Sequence, residues 1–233
     1  MTVEPQGRDP RQWGVETAAS IRAAFAHLAK HVIYFAGYGE LGYEQEGRVR
    51  RVAAQTLAGR PASGLLVHSG TLLRVGGHCG IAEVYSLARE LGIETSGIHP
   101  SIAMGFADTH RVSPYCGHVF FVEDVTWGGF LPGSMTPSPT LQLHLEVSHE
   151  VVVIGGGKHA ADELRAFVSN GKQVRYFPAE MNHSSTRDFC QREGHTIRDM
   201  RGAAHAAWEE MQRRAEDRGS GPSAPSKVAS RKE

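Results

Sequence analysis

The side chains best suited to chemistry in this chain follow short apolar runs that end in glycine. In V-V-V-I-G-G-G-K-H-A-A-D-E-L (151–164), a buried-strand run meets three glycines and a helix opens near Ala160. Unpaired N–H groups at a helix start favour an anion. Gly155, Gly156 and Gly157 would let a phosphate approach the backbone, and Lys158 would add positive charge. Asp162 and Glu163 lie in the first turn of that helix. Adjacent helical residues point about 100° apart, so only one can face a bound ligand. The other is expected to be solvated and to complement the helix dipole.

A second segment, 67–84, repeats the design. It leaves a strand through Ser69, Gly70 and Thr71, passes Gly76, Gly77 and Gly80, and enters a helix. Hydroxyls and glycine amides free of nearby acid make it a second expected phosphate cradle. Glu83, one turn into that helix, could border the pocket or simply complement the dipole. The third segment, G-Y-G-E-L-G over 37–42, is a literal G-x-G-x-x-G with Gly37 and Gly39 at its start. It suggests a dinucleotide site. That motif wants an acid about twenty residues on, to hold the ribose hydroxyls. No Asp or Glu occurs between Glu46 and Glu83, and Glu40 inside the turn would repel a pyrophosphate. An NADP-dependent reductase using Arg74 is therefore the least favoured reading.

These turns need a scaffold, and the hydrophobic pattern supplies one. Strands are expected at 31–36, 64–70, 93–98, 118–124, 150–157 and 173–178. Helices are expected at 15–30, 43–57, 80–91, 141–147 and 160–168, with two polar outer helices near 185–193 and 198–214. Strand–glycine–helix units about thirty residues apart indicate parallel βαβ units. The expected fold is a single α/β domain: an open, mostly parallel Rossmann-like sheet with helices on both faces. Its ligand would lie at the carboxyl ends of the strands, where the three glycine turns should meet. Residues 1–14 are expected to form a flexible arm, 15–215 the domain and 216–233 a disordered tail. The segment 127–133, with two glycines beside Trp127, reads as a lid or a dimer contact.

Bulk composition narrows the function. Lys plus Arg and Asp plus Glu both number 25, which disfavours a dedicated nucleic-acid binder. Three dispersed cysteines indicate neither a zinc knuckle nor a disulfide framework. His144/His149 and His78/Cys79 lack the spacing that joins two metal ligands on a helix, so no metal is expected. With no apolar run long enough for a bilayer and no signal-peptide core, the expected location is cytoplasmic, without a membrane partner.

Taken together, the glycine turns resemble those of the LOG/DprA-like Rossmann superfamily, the "lysine decarboxylase-like" proteins, over residues 31–180. Residues 37–43 resemble its first glycine turn, and 76–82 its G-G-x-x-G-[IL]-M segment, continued through Gly92, Gly97 and Pro100. Residues 155–163 fall on its P-G-G-x-G-T-x-x-E motif, with Glu163 at the glutamate of the nucleotide phosphoribohydrolases. The chain departs from the pattern at Gly155 (for proline), His159 (for glycine) and Ala160 (for threonine). The arginine that the hydrolases carry on the preceding helix is missing from 141–147. The resemblance implies a phosphorylated, nucleotide-like ligand, no cofactor and a homodimer. It also implies N-glycosidic cleavage: Glu163 would hold the ribose, stabilise oxocarbenium-like charge and orient water. His159 and His78, with His144, are the candidate proton donors to the leaving base. The alternative is a SLOG-type domain that binds a nucleotide-derived ligand without chemistry.

Overall fold

A computed structural model describes residues 7–45 and 47–217. In chain order the elements are β1 (Val15–Glu16), α1 (Ala18–Leu28), β2 (His31–Gly37), α2 (Arg48–Leu57), β3 (Leu65–His68), β4 (Leu73–Arg74), α3 (Glu83–Glu90) and β5 (Glu94–Pro100). They continue with β6 (His110–Arg111), β7 (His118–Val122), α4 (Pro139–Val147), β8 (Glu150–Ile154), α5 (Lys158–Ser169), β9 (Gln173–Phe177), α6 (His183–Glu193) and α7 (Gly202–Asp217). Seven strands form one sheet in the order β1-β7-β5-β3-β2-β8-β9, all pairs parallel. This is the expected Rossmann-like α/β sheet in a single domain. From β2 the chain builds toward β7 on one side, then returns to place β8 on the other. The direction therefore switches between β2 and β8, where such sheets open a crevice for a ligand.

Alternation along the strands sorts the core onto two faces. Ile33, Phe35, Val67, Val152 and Ile154 point to the side covered by α2 and α3. Tyr34, Ala36, Val151 and Val153 point to α5 and α7, and Val32 and Leu66 to α1 and α4. The parallel register sets Tyr34 beside His68, which puts two polar side chains on that second face.

Several local expectations are corrected. The helix expected from residue 43 starts at Arg48, because Gly42 and Gly47 both take positive φ, which a continuous helix does not admit. Of the arm expected over 1–14, residues 7–14 lie against the domain. Arg8 bridges Val112 and its guanidinium stacks over Trp13, which packs on Phe121. Residues 1–6, and residues 218–233 of the expected tail, lie outside the described residues. The last helix is not an outer one: Ala204 and Ala207 are fully buried with Leu164 and Phe167 of α5. Among the described residues no helix is long and apolar enough to cross a membrane.

Candidate functional site

A cavity of about 560 Å³ opens at the carboxyl edge of the sheet, within the range usual for small-molecule sites. Its floor comes from Tyr34, Ala36 and Gly37 of β2 and its flanks from Gly39, Gly70 and Thr71. The start of α5 contributes His159, Ala160 and Glu163 to the wall, and Phe106, His110 and Trp127 complete it.

Glu163 reaches this cavity because α5 is amphipathic. It shares a helix face with Ala160 and Phe167, both buried against the sheet. Its Oε1 accepts a hydrogen bond from the Tyr34 hydroxyl at 2.7 Å. Desolvation at the bottom of the cleft raises its pKa to about 7; the Tyr34 bond opposes the rise and the Asp162 charge adds to it. Such a carboxyl exchanges a proton near neutrality, as a general acid or base requires. Asp162 is not solvated, contrary to expectation. It is buried, and its Oδ2 accepts from Phe130 N at 3.3 Å, tying the 127–133 segment to α5.

Behind Tyr34 lies a buried aromatic and imidazole stack. Its ring packs between His144 (4.6 Å, 21°) and Phe167 (5.6 Å, 10°). His144 Nδ1 pairs with His68 Nε2 at 2.8 Å, and His68 Nδ1 lies 3.0 Å from the Ser96 carbonyl. Burial lowers the His68 pKa to about 3 and drives that of His144 well below its ordinary value. Both are therefore neutral, and His144 is a buried packing residue behind Tyr34 rather than a proton donor at neutral pH. Tyr34 went unrecognised in the sequence because it reads as one more apolar strand residue. A hydroxyl inside such a run is nonetheless a signal, since a buried tyrosine O–H needs a partner.

The glycine turns meet at this edge, but not all of them face the cavity. Gly37, Gly39, Gly70 and Thr71 line it; Gly76, Gly77 and Gly80 do not. Three amides of that segment are already paired. Gly77 N–H binds Arg74 O, His78 N–H binds Glu40 O, and Ile81 N–H binds Tyr38 O. Gly80, at positive φ, presses so closely on the Tyr38 and Gly39 carbonyls that a Cβ would collide with them. Its glycine serves packing. Ser69 is buried beneath, with its carbonyl bonded to the Tyr85 hydroxyl.

His78 lies outside the cavity, with Nε2 2.7 Å from Ser185 Oγ on α6. Glu83 follows a 3-10 turn (Gly80–Ala82) and opens α3, partly buried and near Arg50. Gly155 packs against the Tyr38 ring, and Gly156 against Ala160 and Ala204, with its carbonyl accepting Ala204 N–H at 3.0 Å. The start of α7 thus covers the turn that was expected to cradle phosphate. Gly157 caps α5 with no side-chain cap bond, and Lys158 follows exposed. The start of α5, without a side-chain cap, therefore lies beside His159 and Ala160.

Between β3 and β5, within the segment expected to cradle phosphate, residues 73–74 form β4. It pairs with β6 so that Arg74 faces His110. Arg74 also binds Glu40 Oε2 at 2.8 Å, so the carboxylate inside the first glycine turn is neutralised in place. Opposite charges in two separate glycine turns were the available sequence signal for this pair. Among the described residues no cluster of three or more His, Cys, Asp or Glu is arranged to hold a metal.

No protein-family model matches the chain, and no curated protein is a significant match. Solved structures similar to it include the structural-genomics protein TM1055, at 25% identity over 62% of this chain and 72% of that one, TM-score 0.40. Another is the molybdenum cofactor carrier protein of Chlamydomonas reinhardtii, at 20% identity over 79% of this chain and 99% of that one, TM-score 0.42. A second structure of that carrier gives 18% identity, 80% and 99% coverage and TM-score 0.42. At these TM-scores the backbones do not superpose closely. The chain is a Rossmann-like domain whose resemblance to the LOG superfamily rests on its own glycine turns and on Glu163.

Proposed function

We propose that this protein binds a phosphorylated nucleotide-like ligand in the carboxyl-edge cavity and hydrolyses its N-glycosidic bond. The observation that carries the reading is Glu163: an acid on the cavity wall, oriented by Tyr34, with a pKa of about 7. In the carboxylate form it takes a proton from water as the water oxygen bonds to the anomeric carbon. The carbon–nitrogen bond breaks, its electron pair leaves with the base, and the base takes a proton from solvent; desolvation lowers the pKa of the candidate donor His159, which is therefore neutral where Glu163 is ionised. The uncapped start of α5, with Lys158, would hold the phosphate. The missing motif threonine and the covered Gly156 leave that hold weaker than the resemblance implies. The same reading has the protein acting as a cytoplasmic homodimer without a cofactor, nucleic acid or membrane, as the resemblance and composition suggest.

The test is incubation with a panel of nucleoside 5′-monophosphates and chromatographic detection of free base. Release is expected from the wild type, rising as pH passes through about 7 as Glu163 ionises, and lost in Glu163→Ala. Turnover that survives this substitution refutes the mechanism. A second reading, ligand binding without chemistry, is favoured by the pairing of Arg74 with Glu40, which leaves that cation engaged. Saturable binding of a monophosphate with no free base would select it.

A further inference from the structure

The residues that line the cavity carry an excess of negative charge. Glu40, Glu163 and Glu193 border it, and among the described residues Arg74 is the one cation in the lining. Arg74 Nη1 lies 2.8 Å from Glu40 Oε2, so its charge is already matched. Lys158, exposed at the start of α5, is outside the lining. With Glu163 ionised, three carboxylates and one guanidinium leave the cavity a net charge of −2. Such a site favours a ligand that brings positive charge to it.

The lining also lacks a group that hands a proton to a leaving base. Its imidazoles are His110 and His159. Burial lowers the pKa of both, opposed at His110 by the Glu40 charge and at His159 by the Asp162 charge. Both are neutral where Glu163 is ionised, and a neutral imidazole is a poor acid. The Tyr34 hydroxyl proton is held in the bond to Glu163 Oε1. Glu163 takes the proton of the attacking water and does not supply one in the same step. A neutral base such as adenine leaves as an anion unless it is protonated. Without an acid, and among excess carboxylates, that departure is disfavoured twice over.

A ring whose glycosidic nitrogen is quaternised meets neither obstacle. Water oxygen bonds to the anomeric carbon and its proton goes to Glu163. The carbon–nitrogen bond breaks, and its electron pair cancels the ring charge, so the ring leaves neutral with no proton added. Positive charge passes from ring to sugar, and the carboxylates face a cation until the new bond forms. The aromatic lining suits the same ligand. Trp127 lies 5.1 Å from Phe106 and 5.0 Å from His110, with ring planes at 57° and 37°. Rings inclined in this way form no single flat face, but each attracts a cation on its own. Asp124 accepts from Thr126 N and Oγ1 and from Thr140 N, and Phe130 N–H binds Asp162, so Trp127 is fastened on both sides. The lid expected at 127–133 is therefore a fixed wall.

We propose that the cavity selects a ligand whose base is a quaternised, cationic ring, an N-ribosylpyridinium, held by the charges of Glu40 and Glu193 and released as a neutral pyridine. The proposal rests on the nucleotide reading of the cavity and defines the base by its charge. The ligand's phosphate stays at the start of α5, as in that reading.

The experiment pairs turnover with binding. Wild-type protein is incubated with nicotinamide mononucleotide and, separately, with adenosine and inosine monophosphates, and free base is measured by chromatography. Nicotinamide is expected to be released with a kcat/KM at least about 10-fold above that for either purine, and its release should be lost in Glu163→Gln. Binding is then measured by calorimetry in Glu163→Gln, comparing nicotinamide mononucleotide with its reduced dihydropyridine form, whose ring is neutral. The cationic ring is expected to bind about 10-fold more tightly, the weight of a unit charge facing two exposed carboxylates. Adding Glu40→Gln and Glu193→Gln should cut that gap to about 2-fold or less, while the reduced form binds no more weakly, which shows that the variant is folded. Equal affinity for the two ring forms, or no saturable binding of nicotinamide mononucleotide up to about 10 mM, would overturn the proposal. Purine release as fast as nicotinamide release would overturn it too, and would leave the N-glycosidase reading standing. Selective binding of the cationic ring with no nicotinamide released would support the selection and remove only the N-glycosidase reading.

Discussion

Replacing Glu163 by Gln should stabilise the protein at alkaline pH while abolishing its proposed chemistry. In the folded state the Glu163 pKa is raised from the ordinary 4.5 to about 7, chiefly by desolvation. A carboxyl with a raised folded pKa binds more protons in the native state than in the unfolded chain between those two values. Stability therefore falls as pH rises through that window. At about 1.36 kcal/mol per unit, the carboxylate costs the fold about 3 kcal/mol once pH exceeds 7. Because Glu163 is partly open to the cavity, about 2 kcal/mol is the more realistic penalty. Glutamine keeps an acceptor for the Tyr34 hydroxyl but cannot ionise. The stability difference between Glu163→Gln and wild type should be near zero at pH 4.5, grow from there to about pH 7, and level off near 2 kcal/mol in favour of the variant. Urea unfolding of both proteins at half-unit pH steps between 4.5 and 8.5 measures it directly. A difference that stays flat across this range would mean that Glu163 titrates as an ordinary exposed carboxylate, and the reasoning about its environment would be wrong.

Two more outcomes follow from the packing. Gly80→Ala should cost at least about 2 kcal/mol by chemical denaturation, from a positive-φ conformation and collision with the Tyr38 and Gly39 carbonyls; a near-neutral effect would reopen its role as a ligand-facing glycine. Glu150→Gln at the opposite edge should cost about 2–4 kcal/mol at pH 7, because the 1%-exposed carboxylate binds Arg60, Arg175 and His31. Its pKa is held below the ordinary value, so its contribution is present above pH 4.5 and lost as pH falls through the folded pKa. The penalty should shrink in acid, and a penalty independent of pH would refute the charge assignment.

The apolar runs and glycine punctuation were enough to read six strands of the large sheet and the alternation of strand and helix. Those features arise from local chain physics: a run such as Val151–Val153 is stable only when covered on both faces. For the same reason Asp162 and Glu163 were legible as a pair near the sheet's carboxyl edge; the choice of Glu163 came from the resemblance of residues 155–163 to the family motif. Which glycines face the ligand was not legible. A glycine is needed equally for approach of a phosphate and for approach of backbone, and only the fold reveals that Tyr38, Gly39 and the start of α7 take up the space around Gly80 and Gly156.

His78 illustrates the limit of proximity in sequence, because its imidazole reaches Ser185 on α6 rather than the cavity. The reverse holds for Tyr34, His68, Phe106, His110 and Trp127, which come from separate segments and acquire meaning only through strand register and loop anchoring. Local pattern thus determined the scaffold and the edge where a ligand would lie. Long-range packing alone decided which side chains line that edge, because covering one polar turn and opening another depends on contacts between residues far apart in the chain.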